Sequence, residues 1–317
     1  MSVRFTCLLV LSMLGSAHSG WGQAPASTPP APTLAENILT NYEVIPNITY
    51  LVANNTELKL DVYRRKGSVP TPTVIYIHGG GWVAGDKESE SLQALPYMEM
   101  GFSVVNVEYR LAHSSLAPAA VEDCRCALKW VIRNAAKHHF DPNKIILTGQ
   151  SAGGHLALIT GMLPASAGFD RECPDEKVLW TAADKSEPKV AAIVNWFGIS
   201  DVAELLDGPN TKAYAVEWLA HLPQREQLAA SVSPINYVRS GTPPIISIHG
   251  DRDEAVPYPQ SVRLHDALKK AGVTSQLVTI PGGGHGGFTK EQLSTSFGAI
   301  RKFLSAQNLL PSPVGTH

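Results

Sequence analysis

Ile145-Ile146-Leu147-Thr148-Gly149-Gln150-Ser151-Ala152-Gly153-Gly154-His155-Leu156-Ala157-Leu158-Ile159 is the stretch on which the interpretation of the chain turns. An apolar, β-branched run passes directly into an apolar helical run, with a serine between two glycines at the junction. So sharp a strand-to-helix bend brings Gly149 and Gly153 close together and leaves the Ser151 hydroxyl standing clear, which only small neighbours permit. A G-x-S-x-G pattern alone recurs by chance. Between a buried strand and a buried helix it points to a nucleophilic serine, with a plain tight turn as the competing explanation.

Working outward, residues 44–50 and 57–64 read as an opening antiparallel pair, the second placing Leu58, Leu60 and Val62 inward and Lys59, Asp61 and Tyr63 outward. Residues 73–78, 103–108, 145–149, 191–196, 244–249 and 276–280 are β-rich runs with little alternation, as expected for strands covered on both faces. Helical patterns at 89–100, 119–138, 152–163, 259–271 and 289–305 fit between them. This succession predicts a mostly parallel eight-stranded sheet with helices on both faces. Two stretches interrupt it, 164–189 and 201–236; in the second, residues 211–220 form a helix-like run with Tyr214 and Trp218 four apart. That run suits a small cap over a site, and ordinary surface packing accounts for it equally. Ligands of open parallel sheets sit beyond the carboxyl ends of the strands, so the loops there are where chemistry is sought.

The first such loop is His78-Gly79-Gly80-Gly81-Trp82. Three glycines let the backbone approach a substrate, and the Gly80 and Gly81 amides, with that of Ala152 at the helix start, can aim at a developing oxyanion. A phosphate-binding loop is excluded by the lack of G-x-G-x-x-G or a Gly-Lys-Ser/Thr ending. His78 reads as a residue that fixes the loop. Near the C-terminus, Gly250-Asp251-Arg252-Asp253-Glu254-Ala255-Val256-Pro257 offers three acids. Asp251, directly after Gly250, suits a turn or cap, so Asp253 is the favoured partner for a base. His285 stands among glycines at 282–287 with no apolar stripe around it, which suits a base reaching the serine better than a core histidine. His155, four residues after Ser151, is the rival base but reads as packing.

Ser151, Asp253 and His285 follow the Ser…acid…His order of α/β-hydrolases. Together with Tyr109-Arg110-Leu111-Ala112 and Pro118-Ala119-Ala120-Val121-Glu122-Asp123, these motifs resemble the hormone-sensitive-lipase-like esterases over roughly residues 57–303. Gly85-Asp86-Lys87 after the glycine loop is most similar to secreted bacterial esterases of the feruloyl or acetyl-xylan type. His113-Ser114-Ser115 stands where members of the group often carry Ala-Pro-Glu. The resemblance implies an α/β-hydrolase fold with a small cap-like insertion, Ser151 as nucleophile, Asp253 and His285 as its relay, and the amides of Gly80, Gly81 and Ala152 as oxyanion hole. It also implies a small-molecule or carbohydrate-linked ester as substrate. Acyl transfer through serine needs no metal or organic cofactor. Trp82 and Trp218 are candidates to stack on an aromatic acyl group or a sugar ring, with burial in the core as the alternative.

The 317 residues are 44% hydrophobic and 17% charged, a balance that suits a folded core. With 26 Lys and Arg against 28 Asp and Glu, and no basic run, nothing marks a nucleic-acid partner. Arg4, the apolar stretch 5–14 and small residues at Ala17, Ser19, Gly22 and Ala24 read as a signal peptide over 1–23, hence a secreted or periplasmic protein. The apolar stretch is too short to span a bilayer, so no stable membrane insertion is expected. Residues 24–40 read as a flexible lead-in, with the hydrolase domain over 41–317. Loss of Cys7 with the signal leaves Cys124, Cys126 and Cys173; the first two face opposite sides of one helix, so at most one meets Cys173. Three other classes remain in view. A prolyl-oligopeptidase-like peptidase lacks room for its propeller before the glycine loop, a non-catalytic module is expected to lack a triad residue, and an arylformamidase-like amidase shares the same residues.

Overall fold

The computed structural model describes residues 33–174 and 188–312. In chain order its strands are β1 (Tyr42–Ala53), β2 (Thr56–Arg65), β3 (Thr71–Ile77), β4 (Ser103–Val107), β5 (Phe140–Gln150), β6 (Ala192–Trp196), β7 (Ile245–Gly250) and β8 (Ser275–Ile280). They form one sheet in the order β1-β2-β4-β3-β5-β6-β7-β8. The pairs β1–β2 and β2–β4 are antiparallel and all later pairs parallel. Asn54 and Asn55, both at positive φ, turn β1 into β2, as a two-residue hairpin demands.

The near-continuous apolar strands have a simple cause: β3, β4, β6 and β7 are buried at every residue. Alternate side chains feed two cores. Ile75 and Ile77 point into one, shared with α3 (Ala119–Arg133), α5 (Ala152–Met162) and α8 (Pro259–Lys270). Val74 and Tyr76 point into the other, closed by α2 (Leu95–Glu99) and α9 (Lys290–Ala306). Helices on both faces leave the carboxyl ends of the parallel strands as the open rim.

Four expectations need correction. The lead-in is not loose throughout: α1 (Leu34–Asn41) begins at a capping box between Thr33 and Glu36, and Ile38 packs on the second core. The helix expected at 89–100 is a 3-10 turn, Ser91–Ala94, followed by the short α2, because Pro96 supplies no N–H and disfavours helix before it. Asp61 faces inward, 8% exposed, where Lys87 Nζ reaches its carboxylate at 2.9 Å and the Asn47 amide donates at 2.7 Å. The helix at 119–138 breaks at Asn134 into α3 and α4 (Ala135–His138).

Of the two helix cysteines it is Cys126 that bonds to Cys173, Cα atoms 5.0 Å apart, and Cys124 is a buried free thiol. The stretch 201–236 forms α6 (Ala213–Leu219) and α7 (Arg225–Ser231), and it is anchored: Ala215, Trp218, Leu219, Ala229 and Val232 are fully buried in the first core. The leader at 1–23 and the first part of the lead-in lie outside the described residues, as does part of the 164–189 stretch. Among the described residues, no helix is long and apolar enough to cross a membrane.

Candidate active site

At the rim, β5 ends at Gln150 and α5 begins at Ala152, leaving Ser151 at the bend with φ 55° and ψ −120°. That strained geometry for a non-glycine residue is held by the Ser151 amide donating to the Trp196 carbonyl and the Ser151 carbonyl accepting from His155 N, both at 2.9 Å. The glycines are required by contact. A Cβ on Gly149 would lie 2.5 Å from Gly153 C, and one on Gly153 would lie 2.1 Å from the Ile77 carbonyl oxygen. The bend therefore nests against the end of β3, beside the glycine loop.

His285 Nε2 lies 2.9 Å from Ser151 Oγ, and its Nδ1 lies 2.7 Å from Asp253 Oδ2. The Asp253 side chain is fully buried while the imidazole is 29% exposed, so the far end of the relay is dry and the near end open to a substrate. Burial alone would raise the Asp253 pKa. Hydrogen bonds from His249, His285 and the Val256 amide outweigh it and hold the carboxyl well below the usual range. Asp253 Oδ1 accepts from the Ala255 and Val256 amides, each at 2.8 Å. Asp251 instead accepts from the Gly282 amide at 2.7 Å, stitching the acid loop to the His285 loop. The two aspartates are thus separated by what each one holds.

Gly80 has φ 104°, and a Cβ there would meet the Ala84 carbonyl oxygen at 1.9 Å, so this turn closes only around glycine. Its carbonyl accepts from Val83 and Ala84. Among the described residues, the Gly80 and Gly81 amides have no protein acceptor, whereas the Gly79 amide donates to Glu90 Oε1 at 3.1 Å. The Glu90 carboxylate also accepts from Tyr76 Oη at 2.8 Å, tying the glycine loop to the wall of β3. A Cβ on Gly79 would stand 3.7 Å from Ser151 Cβ, which places the loop over the serine. His78 stacks on Tyr109 at 4.1 Å and its Nδ1 lies 2.8 Å from the Gly79 carbonyl, a structural post beneath the loop.

Trp82 and Trp218 are not where a substrate can touch them. Both are fully buried and stacked 4.2 Å apart, because the apolar stripe of α6 needs a partner and the loop supplies Trp82. Trp82 Nε1 donates to His155 Nδ1 at 3.1 Å, and His155 Nε2 donates to the Val232 carbonyl at 2.7 Å. His155 is therefore packing. An aromatic side chain does reach His285, from another place. Phe197 lies edge-on to His285 with centroids 4.7 Å apart. A cavity of about 250 Å3 beside Gln150 and Gly286 is walled by Tyr76, Tyr97, Trp196, Phe197 and Phe288. A larger polar cleft of about 560 Å3 lies around Arg110, Glu122 and Glu172; neither cavity is lined by Ser151, Asp253 or His285, but the aromatic one is lined by their chain neighbours Gln150 and Gly286. Among the described residues no cluster of His, Cys, Asp and Glu suits a metal ion.

Several contributors escaped the sequence. Tyr214, noted only for its spacing from Trp218, lies against Gly81 and donates to the Ala255 carbonyl at 2.8 Å, bridging the glycine and acid loops. Glu90 lies eleven residues beyond the amide it holds, with no motif to mark it. His249 had one signal, its place just before Gly250-Asp251, but it read as the end of a strand.

The BD-FAE family model matches residues 60–268, which span the glycine loop, Ser151 and Asp253. The chain belongs to the BD-FAE family. It is similar to esterase LipQ of Mycobacterium tuberculosis, 29% identical over 226 residues, or 68% of this chain and 51% of LipQ. The chain thus spans about half the length of that curated relative. Among solved structures it resembles a truncated carbohydrate esterase from gut microbiota at TM-score 0.69 and 28% identity, covering 84% of this chain and 97% of that one. A propionate-bound thermophilic esterase, Est2 of Thermogutta terrifontis, matches at TM-score 0.69 and 26% identity over 87% and 97% of the two chains. The sheet order, the serine bend and these neighbours make this an α/β-hydrolase fold of the esterase type.

Proposed function

We propose that this BD-FAE member is a serine carboxylic-ester hydrolase acting through an acyl-enzyme on short or aromatic acyl esters of carbohydrate or other polar alcohols. One observation carries the proposal: a single imidazole bridges the Ser151 hydroxyl at 2.9 Å and a buried carboxylate at 2.7 Å. His285 takes the Ser151 proton as Oγ attacks the ester carbonyl, and Asp253 fixes the imidazole tautomer and stabilises the imidazolium. The Gly80, Gly81 and Ala152 amides receive the oxyanion, aided by the positive end of α5. His285 then protonates the leaving alcohol and activates water to release the acid.

The aromatic cavity beside Gly286, walled in part by the Phe197 that packs on His285, supports the acyl side of the proposal, since walls of Trp196, Phe197 and Phe288 suit a flat ring or a small acyl chain. A carbohydrate esterase and a propionate-bound esterase among the structural relatives support the same substrate class. Export past the leader at 1–23 is part of the proposal, and the Cys126–Cys173 bridge supports it, because such bonds persist in oxidising compartments.

The test compares kcat/KM for methyl ferulate, acetylated xylan, p-nitrophenyl acetate and a long-chain triglyceride emulsion, with mass spectrometry after an organophosphonate. The expected result is a single adduct on Ser151 and faster turnover of the soluble esters. An adduct elsewhere removes the nucleophile assignment, and fastest turnover of the emulsion removes the substrate class. Efficient hydrolysis of N-formyl arylamines with slow ester turnover would make the protein an amidase.

A further inference from the structure

Asp253 is faced by two imidazoles. His285 Nδ1 approaches Oδ2 at 2.7 Å from the open side, and His249 Nε2 lies 3.2 Å from the same oxygen on the buried side. His249 is fully buried at the end of β7, ahead of the loop that carries the acid. Its ring is oriented at both ends: Nδ1 is 2.7 Å from Ser261 Oγ on α8, and Nε2 is 3.1 Å from the Val256 carbonyl. A backbone carbonyl only accepts, so Nε2 carries the hydrogen, and Nδ1 pairs with the Ser261 hydroxyl. The Nε2 hydrogen therefore lies between two acceptors, the Val256 oxygen and Asp253 Oδ2. Val256 closes the circuit, because its own amide donates to Asp253 Oδ1 at 2.8 Å.

We propose that His249 is a positioning residue for the hydrolytic reaction: its Nε2–H, fixed by Ser261, holds the Asp253 carboxylate in register and draws part of its charge away from His285. The inference rests on Ser151, His285 and Asp253 acting as the relay set out above. The groups facing the His249 ring are the Asp253 carboxylate, the Ser261 hydroxyl and Tyr258, edge-on at 5.5 Å, with His285 across the carboxylate. A carboxylate that shares a donor with a second imidazole is a weaker partner for the first. Without that donor, negative charge concentrates on the His285 side, His285 holds its proton more tightly, and the base needed for attack is present only at higher pH.

The experiment measures kcat and KM across pH for wild type, His249→Leu and His249→Gln, with Ser151 occupancy by an organophosphonate counting folded active sites. Leucine removes the donor at similar bulk; glutamine places an amide N–H near the position of Nε2. In His249→Leu the acid limb of kcat/KM moves up by roughly half a pH unit or more, and kcat falls about tenfold with KM nearly unchanged. His249→Gln returns both most of the way. If His249→Leu does not fold, Ser261→Ala decides, since it frees the ring from its orienting hydroxyl and moves the acid limb in the same direction. An acid limb that stays in place or moves down overturns the inference even where kcat drops, because lost packing alone changes rate without changing which protonation state reacts. Failure of the relay itself shows separately, as wild-type protein that Ser151-directed reagent does not label.

Discussion

Trp82 of the glycine loop lies stacked on Trp218 of α6, ring centroids 4.2 Å apart, with neither indole exposed to solvent. The glycine loop is thereby bolted to the 201–236 insertion through the core. Trp218→Ala should therefore leave a cavity and cost about 3–5 kcal/mol of stability in denaturant unfolding, while KM for aromatic and aliphatic esters changes by similar factors. A selective loss on aromatic esters at unchanged stability would return Trp218 to the substrate site.

The different partners of the two aspartates predict different fates. Asp253→Asn should reduce kcat by about three to four orders of magnitude, because the amide no longer selects the His285 tautomer that accepts the Ser151 proton. Asp251→Asn keeps an oxygen to accept from Gly282 and should cost less than about tenfold. Steady-state kinetics on p-nitrophenyl acetate checks the ranking; equal losses would contradict it.

At Gly80 the obstacle is backbone. The added Cβ of Gly80→Ala meets the Ala84 carbonyl oxygen at 1.9 Å and requires φ 104°, so the loop has to reshape. A loss of about 2–4 kcal/mol in transition-state stabilisation is expected, read from kcat/KM per organophosphonate-titrated site. Wild-type kcat/KM would mean the Gly80 region takes no part in stabilising the oxyanion.

Burial drives the His155 pKa down from its ordinary 6.5 to about 4, with the hydrogen bond to the Val232 carbonyl opposing only in part. As pH falls through this window, the unfolded chain takes up a proton that the folded chain refuses, so stability declines with acid. His265, also lowered to about 4, adds to the same slope. His155→Leu should lower stability at neutral pH, since Trp82 Nε1 loses its acceptor, yet flatten the decline between pH 6.5 and 4. Urea midpoints measured across that range test it, and an unchanged slope would count against a neutral buried imidazole.

Sequence alone determined what rests on local chemistry: that Ser151 stands on a glycine-flanked bend between strand and helix, that glycine loops follow β3 and β8, and that unalternating apolar runs build a sheet covered on both faces. Each of these depends on backbone conformation or on burial periodicity, which a residue and its near neighbours largely dictate. Tertiary structure decided what depends on side-chain direction across elements. The parity of β2 placed Asp61 on the side away from Leu60, but only the distant Lys87 made that side an interior. Trp82 read equally well as a substrate platform or as core until the stripe of α6 was seen to need it. Cys126, not Cys124, met Cys173, and His249 turned its Nε2 toward the oxygen that His285 uses. Residues brought together from 36 positions apart, as with His249 and His285, leave no periodic trace in the chain, because packing in three dimensions selects such pairs after local structure has formed.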